Sequence, residues 1–465
     1  MAQSVASIPT AASRDDYVVD ASGFKGWAET VFLPSDETAV IDILRQAGSE
    51  RIPVTVIGAR SGLTGGGIAR GGWVISLEAF RHTQIARGHA RVGAAVTLLE
   101  FRDAAAPTRQ FYAPDPTEIT ASVGGTIATN ASGSRSFLYG STRRHVSAIR
   151  VALMDGSIRE FRRGDTIDFD VPQISWPDTR KCTAGYPLAP GMDYIDLFCG
   201  SEGTLGVVLE AELTLLPIPE ELFSAVIFFR SDDDALDAVD GWRPIGGLRM
   251  LEYVDRNSLD LIYSRYPEIP SHAAAALLIE AEGHVDHDEW SDRLSTTRAL
   301  AEESWFAISA GDRERFRKLR HSLPEMVNAT VLRNGFMKMG TDYAVPIARN
   351  REILRYYRRR LEAELPGHYV IYGHIGDAHT HVNMLPSSGR EAEIATALLK
   401  EFAIHAVQLG GTVSAEHGLG KRKAHLLTLQ YAPESIQAMM DVKRRFDPQW
   451  LLGRETLFPV PAEFS

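Results

Sequence analysis

Residues 54–67 have the sequence VTVIGARSGLTGGG, a β-branched run that leads directly into a loop with five glycines. The run Val54–Ile57 predicts a short strand. Backbone N–H groups approach an anion closely only where no Cβ intervenes, so the loop Gly58–Gly67 suits a phosphate or pyrophosphate. It is not a Walker A loop, because no Gly-Lys-Ser/Thr follows. It is not a Rossmann fingerprint either, because Gly65-Gly66-Gly67 precedes another strand rather than a long helix.

Two further loops of the same character follow in the next part of the chain. Residues Gly124–Gly133 read GGTIATNASG, and residues Gly200–Gly206 read GSEGTLG. A single loop of this kind would more often be a turn than a cofactor site. Three of them within about 150 residues, all polar and nearly free of charge, favour a large phosphate-bearing cofactor that is held by backbone groups.

Strands and helices are predicted in mixed order around these loops, which is typical of an α+β fold. Glu37–Ala47 is predicted to be a helix, and Asp155-Gly156 is predicted to be the turn of a hairpin. Pro217-Ile218-Pro219 is the best candidate for a linker. We therefore expect a disordered tail at residues 1–16, one domain at residues 17–218 and a second domain at residues 219–465.

The bulk composition narrows the class of protein. The chain has 465 residues, of which 44% are hydrophobic and 23% are charged, as in soluble globular proteins. The net charge of −11 argues against a general nucleic-acid binder. Two cysteines, Cys182 and Cys199, fit a reducing compartment and predict a cytoplasmic location. No apolar run approaches the roughly 20 residues that cross a bilayer.

Two further informative segments lie in the last quarter of the chain: Gly373–Asn383 reads GHIGDAHTHVN, and Ser414–Gly418 reads SAEHG. Imidazoles, a carboxylate and an amide are the ligands of a first-row divalent metal such as Zn²⁺. If Asp377-Ala378 is the centre of a tight turn, His374 faces His381 at a Cβ separation of roughly 5 Å. A strand that bears histidines without any metal is the alternative.

With these motifs taken together, the chain resembles a known family. The glycine loops are similar to the flavin-binding segments of the vanillyl-alcohol-oxidase/para-cresol-methylhydroxylase (PCMH) superfamily. The histidine segments narrow the resemblance to the branch of D-lactate dehydrogenase, the glycolate oxidase flavin subunit and D-2-hydroxyglutarate dehydrogenase. It extends from about Tyr17 to Phe458 and rests on Pro53–Gly67, Pro114–Gly133, Tyr139-Gly140, Gly200–Gly206, Gly373–Asn383 and Ser414–Gly418.

The resemblance implies a two-lobed, PCMH-type α+β domain that binds FAD non-covalently. An α+β cap domain follows it, and the last 20 or so residues return to the FAD domain. The residues implied to contact FAD are Arg60, Ser61, Gly62, Leu63, Thr64, Gly65, Gly66, Pro114, Asp115, Gly124, Gly125, Thr129, Asn130, Glu202, Gly203 and Gly206.

The resemblance also implies roles in the second half of the chain. His374, His381 and Glu416 would bind the metal, and His417 would be the general base. The residues implied to bind substrate are Arg320, Lys338 and Asn383. One departure is that Ala378-His379-Thr380 replaces the usual Gly-Asn-Leu, which adds His379 to the metal face and puts the substrate in doubt.

The implied activity is oxidation of a D-2-hydroxy acid to the 2-oxo acid, with hydride transfer to flavin N5. The implied electron acceptor is a quinone, a cytochrome or an electron-transfer flavoprotein. Two alternatives remain open: an oxidoreductase of the same fold that acts on another alcohol, and a flavin subunit that requires partner proteins. No nucleic acid and no transmembrane segment are expected, and a homodimer is plausible because closed dimers dominate soluble oligomers.

Overall fold

A computed structural model of the chain describes residues 7–8, 15–283 and 287–464. Most of the predicted disordered tail, residues 1–16, lies outside this described part. The strands of the first half are β1 Ser7–Ile8, β2 Thr30–Phe32, β3 Val54–Ile57, β4 Trp73–Ser76, β5 Thr83–Ala86, β6 His89–Gly93, β7 Gln110–Phe111, β8 Val146–Ala152, β9 Ile158–Arg162, β10 Val207–Thr214 and β11 Leu216–Pro217. Its helices are α1 Glu37–Glu50, α2 Leu98–Ala105, α3 Val123–Thr129, α4 Ser136–Tyr139 and α5 Tyr194–Phe198.

These strands form two main sheets, one in each lobe of the first half. The first sheet has the order β1-β2-β4-β3, with β2 and β3 parallel to β4. The second has the order β5-β6-β10-β8-β9 and is antiparallel throughout. Strands β7 and β11 pair separately. The three glycine loops leave β3, surround α3 and precede β10, so the topology brings them together between the lobes.

Two local predictions are confirmed in this half. Helix α1 covers the predicted Glu37–Ala47 and extends to Glu50; Asp36 caps it by accepting the N–H of Ala39. Its inward residues Val40 and Leu44 are four positions apart, as an amphipathic helix requires. The hairpin β8–β9 turns at Asp155-Gly156, where Gly156 has φ +75°, a conformation that favours glycine.

The second half is built on one seven-stranded sheet. Its strands are β12 Leu222–Phe229, β13 Leu248–Asp255, β14 Ala275–Glu282, β15 Trp305–Phe306, β16 Met339–Gly340, β17 Tyr369–Gly373 and β18 His381–Met384. Its helices are α6 Asp232–Trp242, α7 Arg256–Ile262, α8 His287–Ser295, α9 Ala310–Asn334, α10 Asn350–Glu364, α11 Gly389–Gln408, α12 Leu427–Gln430 and α13 Pro433–Phe446.

The order of this antiparallel sheet is β15-β12-β14-β13-β17-β18-β16. Strands β13, β17, β18 and β16 are therefore neighbours, and side chains on them or just beyond their ends can meet on one side of the sheet. Helix α9 packs against this sheet through Phe316, Leu319 and Leu323, which are buried in the core that covers β12 and β14.

The two halves contact each other closely, and the C-terminal residues lie against β3. Val54 donates its N–H to Leu451 O at 2.8 Å, and Gly453 donates its N–H to Val54 O at 2.9 Å. The buried Lys443 ammonium donates to Thr204 O at 3.0 Å and pairs with Asp447 at 2.9 Å. The division of the chain at residue 218 stays a prediction.

None of the helices in the described part of the chain combines the length and the apolar character that membrane crossing requires.

Candidate active site

A cavity of about 310 Å³ lies where the three glycine loops meet. Of the residues predicted to contact the cofactor, those in its wall are Arg60, Ser61, Gly62, Leu63, Thr64, Gly66, Gly124, Gly125, Thr129, Glu202, Gly203 and Gly206. A Cβ added to Gly62 would have no atom closer than 3.6 Å, and one added to Gly203 would have no neighbour within 4 Å. Ligand atoms can therefore approach the backbone closely at these two positions, as a phosphate-bearing cofactor requires.

Four residues predicted to contact the cofactor are placed elsewhere. Gly65 forms the turn of its loop at φ +73° and packs beside Phe24. Asn130 ends α3 in the left-handed conformation, and its side chain accepts the N–H of Arg143. The carboxylate of Asp115 pairs with Arg135. Pro114 is buried outside the cavity wall.

The hairpin that carries the histidines is built differently from the prediction. Tyr372, not His374, faces His381, so the tight turn at Asp377-Ala378 is wrong. Residues Ile375–Asp377 form a 3₁₀ turn, and Ala378 follows at φ +53°. The physical reason is that Asp377 points into the protein, where Ser136 Oγ donates to it at 2.9 Å.

The wider turn still brings two imidazoles together on one carboxylate. Nε2 of His374 and Nε2 of His381 each lie 3.2 Å from Oε1 of Glu416. The rings of His374 and His381 are 5.5 Å apart at their centroids and nearly perpendicular. The side chains of the predicted group His374, His381 and Glu416 therefore converge, although His374 and His381 are not paired across the two strands.

The second nitrogen of each imidazole has a hydrogen-bond acceptor of its own. Nδ1 of His374 donates to Glu252 at 2.5 Å, and Nδ1 of His381 donates to Thr341 O at 3.1 Å. Each Nε2 thus faces another acceptor, the Glu416 carboxylate. Two imidazoles and a carboxylate that converge in this way require either extra protons or a shared cation, and a metal ion fits the second case.

The charges around His374 favour extra protons when no cation is bound. Burial opposes the charged form of His374, but the Glu252 carboxylate outweighs it and raises the pKa of His374 to about 9. A divalent cation would displace that proton, because metal ligands must be deprotonated.

The other oxygen of Glu416 is held from the first half of the chain. Lys181 Nζ is 3.1 Å from Oε2, and Ser132 Oγ donates to the same oxygen at 3.0 Å. Burial alone would raise the pKa of Glu416, but the charges of Lys181 and His374 hold it well below its usual range. Only Oε1 is left for a further ligand, so Glu416 is arranged as a monodentate donor.

His417 stands at the edge of this cluster, in the wall of the cofactor cavity. Its loop is fixed by Asp342, whose carboxylate accepts the N–H of His417 at 2.9 Å and Ser414 Oγ at 2.9 Å. Nε2 of His417 is 3.8 Å from Glu416, and its side chain is 27% exposed. Burial lowers the pKa of His417 to about 4, so a neutral ring able to accept a proton is present at neutral pH.

A second cavity, of about 1360 Å³, shares Glu416 and His417 with the first. Its wall includes the three predicted substrate residues, Arg320, Lys338 and Asn383. His417 therefore lies between the two cavities.

The three predicted substrate residues differ in what already binds them. Nε of Arg320 donates to Glu252 at 2.6 Å, so only its terminal N–H groups remain for a ligand. Burial and the nearby charges of Lys423 and Arg320 lower the pKa of Lys338 to about 8. The buried amide of Asn383 lies beside the Tyr372 hydroxyl group, and its Nδ2 has no well-aligned acceptor within the described part of the chain.

Four supporting residues were missed by sequence reasoning: Ser132, Lys181, Glu252 and Asp342. Lys181 belongs to the long irregular segment 165–196, and such a segment often has a function. Asp342 lies two residues after the end of β16. Nothing in the sequence pattern marks Glu252, which lies on the buried strand β13.

Comparison with known proteins agrees with this architecture. Residues 218–456 match the family of FAD linked oxidases, C-terminal domain, and residues 28–162 match a FAD binding domain. A D-lactate dehydrogenase of Archaeoglobus fulgidus is 30% identical over 91% of this chain and 90% of its own length. A glycolate oxidase subunit GlcD of Bacillus subtilis is 29% identical over 97% of this chain and 93% of its own length.

A solved structure of alkyldihydroxyacetonephosphate synthase has the same fold, with a TM-score of 0.65 at 14% identity. It covers 92% of this chain and 77% of its own chain. The chain belongs to the FAD-linked oxidases, and it is an FAD-dependent oxidoreductase.

Proposed function

We propose that the chain oxidises a D-2-hydroxy acid of the lactate, glycolate or 2-hydroxyglutarate type to the 2-oxo acid, assisted by a divalent metal, preferably Zn²⁺. The observation that carries this proposal is the position of His417, which lies in the walls of both cavities and 3.8 Å from Glu416. The names of the relatives, D-lactate dehydrogenase and glycolate oxidase subunit, support the choice of substrate class.

FAD and the divalent metal would supply different chemistry to the reaction. FAD supplies the hydride acceptor, and a divalent ion supplies a Lewis acid that lowers the pKa of a hydroxyl group. The residues that would hold the ion are His374, His381 and Glu416, whose free donor atoms already converge.

The remaining residues bind and deprotonate the substrate. Neutral His417 accepts the hydroxyl proton, because burial keeps its pKa near 4. The amide of Asn383 and the ammonium of Lys338 bind the carboxylate, together with the terminal N–H groups of Arg320. Glu252 keeps Arg320 and His374 in place, since it contacts both.

The proposal is tested by anaerobic titration of the metal-loaded flavoprotein with D- and L-2-hydroxy acids, followed by the visible flavin spectrum. We expect one D-acid to bleach the flavin rapidly, and a chelator to abolish the bleaching. The variant E416Q should retain FAD but lose both metal and bleaching. E393Q, a change at an exposed glutamate of the substrate cavity, is the matched control. Bleaching that is unaffected by both chelator and E416Q would contradict metal assistance.

One relative supports a second candidate function, because it is named as a subunit of glycolate oxidase. In that case the chain is a flavin subunit that transfers electrons to partner proteins. Bleaching by a D-acid with no turnover on artificial acceptors would favour this candidate, and full turnover by the isolated chain would exclude it.

The proposed cytoplasmic location is supported by the state of the two cysteines. Cys182 and Cys199 are both buried and free. Fractionation of cells that express the protein tests the location, and we expect the protein in the cytoplasmic fraction with two free thiols.

A further inference from the structure

His379 is a buried imidazole whose role the proposed reaction leaves open. Its side chain is completely buried, beside the Glu416 cluster. Nδ1 has no hydrogen-bond partner within the described part of the chain. Nε2 lies 3.2 Å from Asp342 Oδ1, a contact with the Asp342 carboxylate that is poorly aligned for a hydrogen bond. A buried imidazole with one nitrogen unpartnered is unfavourable unless something else binds that nitrogen.

The surroundings of His379 indicate what binds it. One ring nitrogen of His379 belongs to a group of four donor atoms, with His374, His381 and Glu416, that all lie within 4.8 Å of one another. The ring centroid of His379 is 4.4 Å from that of His381 and 5.4 Å from that of His374. A single ion placed among these four atoms would reach all of them after small side-chain rotations.

The backbone holds His379 in this position independently of its side chain. Its N–H donates to His374 O at 3.1 Å, and the carbonyl of the preceding Ala378 accepts the N–H of Val345 at 3.2 Å. Ala378 itself has φ +53°, a left-handed conformation that is unusual for a residue with a Cβ. The turn therefore fixes the direction of the next residue toward the cluster.

We propose that His379 is a fourth protein ligand of the metal, so that the site consists of three imidazoles and the Glu416 carboxylate. This inference rests on the proposed metal-assisted function. Four nitrogen and oxygen donors satisfy the tetrahedral preference of Zn²⁺ without a water ligand. The site should therefore retain its ion more firmly than a site with three protein ligands, and a substrate must enlarge the coordination shell to bind.

The test uses the FAD-loaded protein, stripped of metal with a chelator and reconstituted with Zn²⁺ or Co²⁺. X-ray absorption at the Zn edge counts the imidazole ligands, and the visible spectrum of the Co²⁺ form reports tetrahedral coordination. We expect three imidazoles in the wild type and two in H379N. Competition with a chelator should show that H379N binds Zn²⁺ at least about 100-fold more weakly, the upper end of the cost of losing an outer-shell partner.

The matched control is H425N, which removes an exposed histidine from the wall of the second cavity. It should leave the imidazole count and the Zn²⁺ affinity unchanged. Equal FAD content and equal thermal unfolding of the metal-free forms would show that H379N folds. If H379N does not fold, the wild-type imidazole count alone decides the matter.

Two outcomes overturn the inference alone. Two imidazoles in the wild type, or an affinity loss in H379N below about 100-fold, would mean that His379 at most orients its neighbours and does not bind the metal itself. Failure of the proposed function looks different, because the flavin would then be bleached by no hydroxy acid, or would be bleached equally without metal. A wild type that binds neither Zn²⁺ nor Co²⁺ overturns both the inference and the metal assistance.

Discussion

The replacement K181M tests whether the buried ammonium of Lys181, in the first half of the chain, holds the carboxylate of Glu416, the proposed metal ligand. Lys181 Nζ lies 3.1 Å from Glu416 and 3.4 Å from Asp377. At an effective dielectric constant of about 20, each attraction is worth about 5 kcal/mol before the cost of burying the ammonium is subtracted. Methionine has a similar length but no charge, so the variant leaves two buried carboxylates with one cation fewer.

The two carboxylates are not left without partners. Asp377 retains Arg180 at 3.0 Å, and Glu416 retains Ser132 at 3.0 Å. We therefore expect the lower end of the range for breaking a buried ion pair, a loss of about 3 kcal/mol in the free energy of unfolding of the metal-free protein. Bound Zn²⁺ would neutralise Glu416 in place of the ammonium, so the loss should be smaller in the metal-loaded protein.

Denaturant unfolding, measured with and without Zn²⁺, checks both values. The control K400M changes an exposed lysine in the wall of the substrate cavity and should alter the free energy of unfolding by less than about 0.5 kcal/mol. A loss below about 1 kcal/mol in metal-free K181M, which is typical of exposed ion pairs, would refute the argument. An equal loss with and without Zn²⁺ would refute the link to the metal site.

Three further predictions concern single residues. Because the pKa of Lys338 is lowered to about 8, its ammonium is lost above that pH; the KM for the acid should rise there in steady-state kinetics, and K338R should remove the rise. Burial raises the pKa of Glu202 to about 7, so the folded protein binds the extra proton between about pH 4.5 and 7. The free energy of unfolding should then fall by up to about 3 kcal/mol as the pH rises through that window, and E202Q should remove this slope in denaturant titrations at several pH values. A378G should raise the unfolding temperature of the metal-free protein, because glycine adopts φ +53° without the left-handed penalty of about 1–2 kcal/mol; a lower unfolding temperature would show that the Ala378 methyl packs usefully.

Local sequence patterns predicted the elements of this fold well. Alternation and turn chemistry were sufficient for β8–β9, and the capping residue and apolar spacing were sufficient for α1. The cavity could be predicted from the glycine loops, because each glycine lacks a Cβ whatever the rest of the fold. The sequence could not distinguish the residues that line the cavity from neighbours such as Asn130, whose side chain instead accepts the N–H of Arg143.

The convergence of His374, His381, Glu416 and His417 could be predicted because these residues belong to two short segments. Glu252 and Lys181 lie far from those segments in the chain, and no motif of their own marks them. The predicted register of the β17–β18 hairpin was wrong for a related reason. The turn is shaped by the burial of Asp377 beside Ser136, a contact between the two halves that a local rule for turns does not contain.

The carboxylate of Glu202 has a consequence for how such enzymes can be recombined. It accepts the N–H groups of Leu419 and Gly420, both at 2.8 Å, so Glu202 fixes the segment that follows His417 to the first half of the chain. Lys181 reaches Glu416 from the same side. A chimera that takes residues 1–218 from one relative and the remainder from another would join the two sides of these contacts from different parents. His417, the proposed base, would then be misplaced unless Glu202 and Lys181 were transferred together with residues 416–420.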